Sequence, residues 1–230
     1  MEQTIYHQRA VDAVAASFMT KVYGWMCFAL LITALTAWRV SESAQFISFI
    51  HEQSGVFFIL IIAQLGLVFA ISGAINKLSA QTATALFVVY SLLTGVTLSF
   101  IFLLYTAESI ATTFAVTGLT FGIMSFYGFV TKRDLSSWGN LLFMALIGLI
   151  IGTVVNVFWA NTALYWLTTY AGIIIFVGLT AYDTQKLKNL SYQIGDGENA
   201  QKMAILGALT LYLDFINMFL FLLRLFGRRR

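Results

Sequence analysis

A bundle of seven transmembrane helices, the last of them central, is the fold this sequence predicts, and three observations predict it. Only 10% of the 230 residues are charged and 60% are hydrophobic, whereas a soluble domain carries about a quarter charged. Seven stretches are apolar over roughly the 20 residues a helix needs to cross a bilayer: 22–38, 56–75, 83–105, 109–130, 140–160, 164–182 and 203–223. The links between them are short, and no repeat, low-complexity stretch or proline-rich linker marks a second domain. The organisation is therefore an N-terminal cytoplasmic tail over 1–21, a transmembrane domain over 22–227 and a basic C-terminal tail over 228–230.

The elements follow in order. The first 21 residues mix Glu2, Arg9, Asp12 and Lys21 ahead of an apolar run longer than a signal-peptide core, so they read as a retained tail. The first span holds Cys27, the single cysteine, which excludes an intrachain disulfide. The second carries one amide, Gln64, an interhelical hydrogen-bonder by expectation. The third carries Ser91, Thr94, Thr97 and Ser99, expected to bond across helices. The loop YTAES, with Glu108 exposed, leads into the fourth span. There Gly118 and Gly122 stand one turn apart, as do Gly148 and Gly152 in the fifth, a spacing that lets helix backbones approach closely. TKRDLSSWGN precedes the fifth span, with Ser136 or Ser137 as its cap and Trp138 at the interface. Asn156 lies within that span as a further hydrogen-bonder. With no proline in the chain, proline hinges are excluded.

Basic residues choose an orientation. With the N-terminus inside, the inner segments hold Arg9, Lys21, Lys77, Lys132, Arg133, Lys186, Lys188 and Lys202, and the outer loops hold Arg39 alone. That asymmetry is the positive-inside pattern. Seven full crossings then put Arg224 and Arg228 to Arg230 outside, where the tail anchors at lipid headgroups; a re-entrant seventh segment would return them inside.

The seventh span, in GALTLYLDFINMFLFLLRLFG, raises the chemical question, because an acid sits near its middle. Gly207, Thr210, Asp214 and Asn217 follow at i, i+3, i+7 and i+10 and share one face of a helix otherwise apolar. An acid inside a membrane is costly and marks a functional site by default. Its candidate partner is Asp183, in GLTAYDTQKLK at the end of the sixth span, with Thr180 one turn before and Lys186 one turn after. Taken alone, Asp183 also reads as an interfacial acid paired with Lys186, and Asp214 as a neutral structural acid. Brought together, two carboxyls cannot both ionise cheaply, so they titrate as a unit around a shared proton. Losing it would push their helices apart. Their oxygens are also hard ligands for Ca²⁺, held in transit and not as a resident metal.

Other chemistry is not written here. GxGxxG, a P-loop, HExxH and GxSxG are missing, so an enzyme is not expected. No cofactor is implied, His7 and His51 are too separate for a metal site, and the small scattered net charge of +3 excludes nucleic acid. The polar stretch QIGDGENAQK, with Asp196 and Glu198, lacks the ligands of an EF-hand and reads as a solvated cytoplasmic loop.

The segments LTAYDTQKLK, LTLYLDFINMFLFLLRLFG and YGFVTKRDLSSWGN resemble the Bax inhibitor-1 family, in its bacterial branch, over nearly the whole chain beyond the N-terminal tail. The resemblance implies an inner-membrane protein of seven helices with the last near the centre. It also implies that Asp183 and Asp214 match the family's paired aspartates, associated with a pH-sensitive calcium leak, with Ca²⁺ and protons as partners. Some relatives are linked to a membrane-bound AAA protease. One departure stands out. Some members carry an arginine in the second span that locks onto the pair; here no basic residue follows until Lys77. A lock would use Lys77 or Lys186, or only the carboxyl–carboxyl proton. Thr180 and Asn217 are the supporting polar groups. The alternatives are a non-transporting modulator of a membrane protease and a proton-coupled carrier.

Overall fold

The computed structural model describes residues 2–43, 45, 48, 54–194 and 197–230. Among them are seven helices long and apolar enough to cross a membrane. In chain order they are α1 (Glu2–Ser41), α2 (Ser54–Ala74), α3 (Ala80–Leu104), α4 (Ala107–Val130), α5 (Ser136–Phe158), α6 (Thr162–Ser191) and α7 (Glu198–Phe226). The all-α, seven-span expectation holds.

Several boundaries move, each for a local reason. The first helix begins at Glu2, inside the stretch read as a tail, because neither Gly nor Pro interrupts the chain before Gly24. Ala15, Phe18, Met19 and Val22 at the start of the membrane-crossing stretch are buried. At the other end of the chain, QIGDGENAQK is only partly a loop: α7 starts at Glu198, after Gly197 turns the chain at φ 111°. Asp196 and His51, like the side chain of His7, lie outside the described residues. Glu108 falls in the first turn of α4, where an acid suits the helix dipole. The cap of α5 comes from neither serine. Asp134 accepts the Ser136 N–H at 2.9 Å while Leu135 occupies the cap position, and Trp138 is exposed.

The chain gathers into two compact units, each with its own core. The first comprises α1, α2, α3 and α7 as far as Tyr212. Here α1 lies along α3, and α3 along α2. Its polar interior is a chain of hydroxyls and one amide. The Tyr212 and Thr33 hydroxyls meet at 2.6 Å, and Thr33 in turn lies 3.0 Å from the Ser91 carbonyl oxygen. Phe87 and Tyr90 each stand edge-on to the Tyr212 ring, with centroids 5.7 Å away. Gln64 receives the Thr94 hydroxyl at 3.3 Å and reaches Thr97 at 3.4 Å, so two of the four predicted hydroxyls do bond across helices. The Ser91 and Ser99 hydroxyls instead donate to carbonyls of their own helix. Replacing Tyr212 by Phe keeps the ring and removes one buried hydrogen bond. It should cost about 1 kcal/mol, read as a lowered thermal midpoint of the purified protein in detergent.

The second unit comprises α4, α5, α6 as far as Lys188, and α7 from Leu213. Phe114 and Phe121 of α4 pack against Phe215 of α7, at 5.2 and 5.6 Å between centroids. Asn156 does not bond across helices; its Oδ1 accepts the Asn161 N–H and closes the α5–α6 link. Burial separates the helices by role. α7 buries 67% of its membrane window, against 6% for α2 and for α5. The helix with the polar stripe is the one that protein covers, while α2 and α5 present apolar surface suited to lipid.

The tail returns to the α3–α4 link. The Thr106 N–H donates to the Arg228 carbonyl at 3.1 Å, and the Arg230 N–H to the Leu104 carbonyl at 3.0 Å. The end of α7 thus lies on the face that carries the α3–α4 link, as a full seventh crossing requires and a re-entrant segment would not allow.

Candidate functional site

Asp183 and Asp214 both belong to the second unit, and the structure brings them together. α6 continues past the predicted end of its span to Ser191, which keeps Asp183 helical and buried. α7 buries Asp214 further, at 4% exposure. The two carboxyls are close enough for each to act on the other's charge. Asp214 Oδ2 is sealed from solvent and meets no conventional hydrogen-bond donor among the described residues. Ionised carboxylates only accept hydrogen bonds, so a bond between these two needs a proton on one of them.

The predicted supporting groups are placed differently. Thr180 is buried, but its hydroxyl donates to the Phe176 carbonyl at 2.7 Å; Asn217 Nδ2 donates to the Leu213 carbonyl at 2.8 Å. Both donors are spent on their own helices. Lys186 is exposed, its ammonium 5.9 Å from the centre of the Tyr182 ring. Its charge is near enough to act on Asp183, yet the salt bridge found among the described residues is Arg39–Glu42, at the exposed end of α1. Lys77 is likewise exposed, in the turn after α2, and belongs to the first unit. Among the described residues neither lysine forms an ion pair with either aspartate.

A second set of residues, not singled out in the sequence, braces α6 beside Asp183. The Thr184 and Ser125 hydroxyls meet at 2.9 Å. Gln185 accepts the Leu135 N–H at 2.9 Å and donates to the Arg133 carbonyl at 2.8 Å, holding the α4–α5 link from both sides. The Lys188 ammonium donates to the Phe129 carbonyl at 2.7 Å, in the last turn of α4, where a cation complements the helix dipole. Gln185 and Lys188 stand two and five residues after Asp183 within the noted TAYDTQKLK, but nothing in the spacing says what they hold.

Close backbone approach reinforces this brace at Gly128, where an added Cβ would run into the Ala181 carbonyl. α4 and α6 therefore touch directly, two residues before Asp183. The glycines expected to do this do not. Nothing lies within 4 Å of a Cβ built on Gly118, Gly122 or Gly148, and Gly152 meets only side-chain ends, Thr168 at 3.3 Å and Leu164 at 3.8 Å.

Outside the spans, the Asp134 carboxyl is held below the usual aspartate range by the hydroxyl and then the amide of Ser136. A depressed carboxyl of this kind stabilises the fold above its unfolded value and loses that contribution as the pH falls through its folded one. Its titration therefore lies on the strongly acid side.

A family profile described as "Inhibitor of apoptosis-promoting Bax1" matches residues 15–230. Inner membrane protein YbhL of Escherichia coli K12 is 56% identical over 216 residues, 93% of this chain and 92% of that protein. An uncharacterised protein of Borreliella burgdorferi is 48% identical over 93% of this chain and 92% of its own length. Uncharacterised protein YrjE of Lactococcus lactis is 38% identical over 97% and 94%.

Proposed function

The chain belongs to the Bax inhibitor-1 family, as a multi-pass protein of the bacterial inner membrane, and from that premise we propose that it is a pH-sensitive calcium leak channel. Asp183 and Asp214 are its gate and proton sensor. The observation that carries this reading is the buried carboxyl pair, with Asp214 Oδ2 lacking any conventional donor among the described residues. With one proton between them the carboxyls tie α6 to α7. With none, two like charges repel; for unit charges at ~4 Å that is about 4 kcal/mol at an effective dielectric of 20, a force toward driving the helices apart. The same oxygens attract Ca²⁺ entering the path. Two carboxyls fall short of the roughly six to eight oxygens the ion takes, so they favour its transit with water over its retention. With the N-terminus inside, in keeping with the basic residues, the pair's brace at Gln185 and Lys188 faces the cytoplasm.

The test is Ca²⁺ flux into liposomes containing the purified protein, beside the double variant Asp183→Asn/Asp214→Asn. Wild type should conduct in a pH-dependent way, and the double variant should lose that dependence. Identical fluxes from two folded proteins would sink the proposal. Silence from both would turn attention to modulation of a membrane-bound AAA protease, and a saturable, substrate-stimulated proton flux to a proton-coupled carrier.

A further inference from the structure

A second feature of the α4–α7 unit has no role in that gate. Near the end of α7 the Arg224 guanidinium lies over two aromatic rings, 4.9 Å from the centre of Tyr165 and 5.2 Å from that of Phe221. Such stacking holds a guanidinium in one place while leaving its N–H donors to be used. The ion pair found among the described residues is Arg39–Glu42, so none of them pairs with Arg224. The basic tail folds back to the same corner. The Arg228 N–H donates to Ser109 Oγ at 2.9 Å, its carbonyl accepts from the Thr106 N–H, and Arg229 reaches the Tyr165 hydroxyl at 3.5 Å.

The tail is thus tied down through its backbone, with the side chains of Arg228 and Arg229 exposed. Four arginines occupy the last seven residues, and the acid nearest in the chain to their contacts is Glu108, beside Ser109. Beside Tyr165, Trp166 and then Tyr170 follow ring to ring and are exposed, the arrangement by which aromatic rings settle at the headgroup level of a bilayer.

We propose that this corner binds the headgroup of an anionic phospholipid, with Arg224 bonded to the phosphate and the folded-back tail arginines supplying the positive field. A guanidinium matches phosphate in shape as well as charge, taking two oxygens at once. The surrounding charge selects an anionic headgroup over a zwitterionic one, because each basic residue near the surface is worth about fivefold in affinity. Free phosphate shares the chemistry but gains nothing from the exposed rings.

The experiment uses the full chain purified in detergent and titrated with phosphatidylglycerol or phosphatidylcholine, the bound lipids being counted by native mass spectrometry. Wild type should retain phosphatidylglycerol at least about fivefold better than phosphatidylcholine. Arg224→Gln should reduce the retention of phosphatidylglycerol about fivefold, and Glu108→Gln should increase it. Should Arg224→Gln fail to fold, the triple variant Arg228→Gln/Arg229→Gln/Arg230→Gln, altered at exposed side chains, carries the test by abolishing the preference for phosphatidylglycerol over phosphatidylcholine. Equal retention of the two lipids, or unchanged retention in the folded variants, overturns the site. Displacement of phosphatidylglycerol by millimolar inorganic phosphate overturns the lipid assignment in favour of a free anion. Calcium flux has no bearing on any of these outcomes.

Discussion

Asp214→Asn protein in liposomes will pass Ca²⁺ at one rate from mildly acid to mildly alkaline pH, whereas the wild-type rate will change across that range. One controlling proton can change it by at most about tenfold per pH unit. The substitution keeps the size and shape of the side chain and removes its ability to ionise. Asn also supplies an N–H donor to Asp183 at every pH, so the tie between α6 and α7 no longer depends on a proton. The exposed Asp134 cap is not an alternative source of the response, because its depressed carboxyl titrates on the strongly acid side of the window. Residual pH dependence in a folded Asp214→Asn protein would move the sensor elsewhere.

The largest loss of stability is expected from a single methyl group at Gly128. There a Cβ would overlap the Ala181 carbonyl and stand 2.9 Å from its carbon. The obstacle is backbone, so no side chain can rotate out of the way, and α4 must move off α6. Overpacking costs about 1–3 kcal/mol and sometimes more; Gly128→Ala belongs at the upper end. The displaced α6 residues lie beside Asp183, so calcium flux should fall together with the thermal midpoint. Gly118→Ala and Gly122→Ala provide the contrast. Their Cβ atoms meet nothing within 4 Å, and Ala is the better helix former by up to about 1 kcal/mol. Both should unfold at or slightly above the wild-type temperature in detergent.

That contrast marks the limit of what the sequence discloses. Spacing of small residues nominated Gly118, Gly122 and Gly148, and the structure leaves them in open space, because a lipid-facing surface is as apolar as a protein-facing one. Hydrophobicity therefore located seven spans but not the faces by which they touch. Charge was more informative. An acid in a run of Leu and Phe marks a functional site by default, and Asp183 was the acid on the preceding helix. Gln185 and Lys188 were passed over because their partners are backbone carbonyls and an amide of the α4–α5 link, and any sequence supplies those. Thr180 and Asn217 misled through periodicity alone: they share a face with the aspartates, but hydroxyl and amide donors on a helix have its own carbonyls within reach.

The unequal burial of the helices has a consequence for how the protein is made. On biological insertion scales an aspartate at mid-helix costs about 3 kcal/mol, and each Leu, Ile or Phe returns about 0.5. Residues 207–226 hold twelve of these, so α7 can enter the bilayer with its acid aboard. What it cannot do alone is shelter Asp214 from lipid. As the seventh helix in chain order it leaves the ribosome after those that come to cover its acid and its aromatic residues. Until it arrives, Thr33, buried in the finished protein against the Tyr212 hydroxyl, belongs to a helix that still lacks its central neighbour. A chain stalled before residue 198 leaves that hydroxyl without its Tyr212 partner, a mark by which membrane quality control tells an unfinished copy from a complete one.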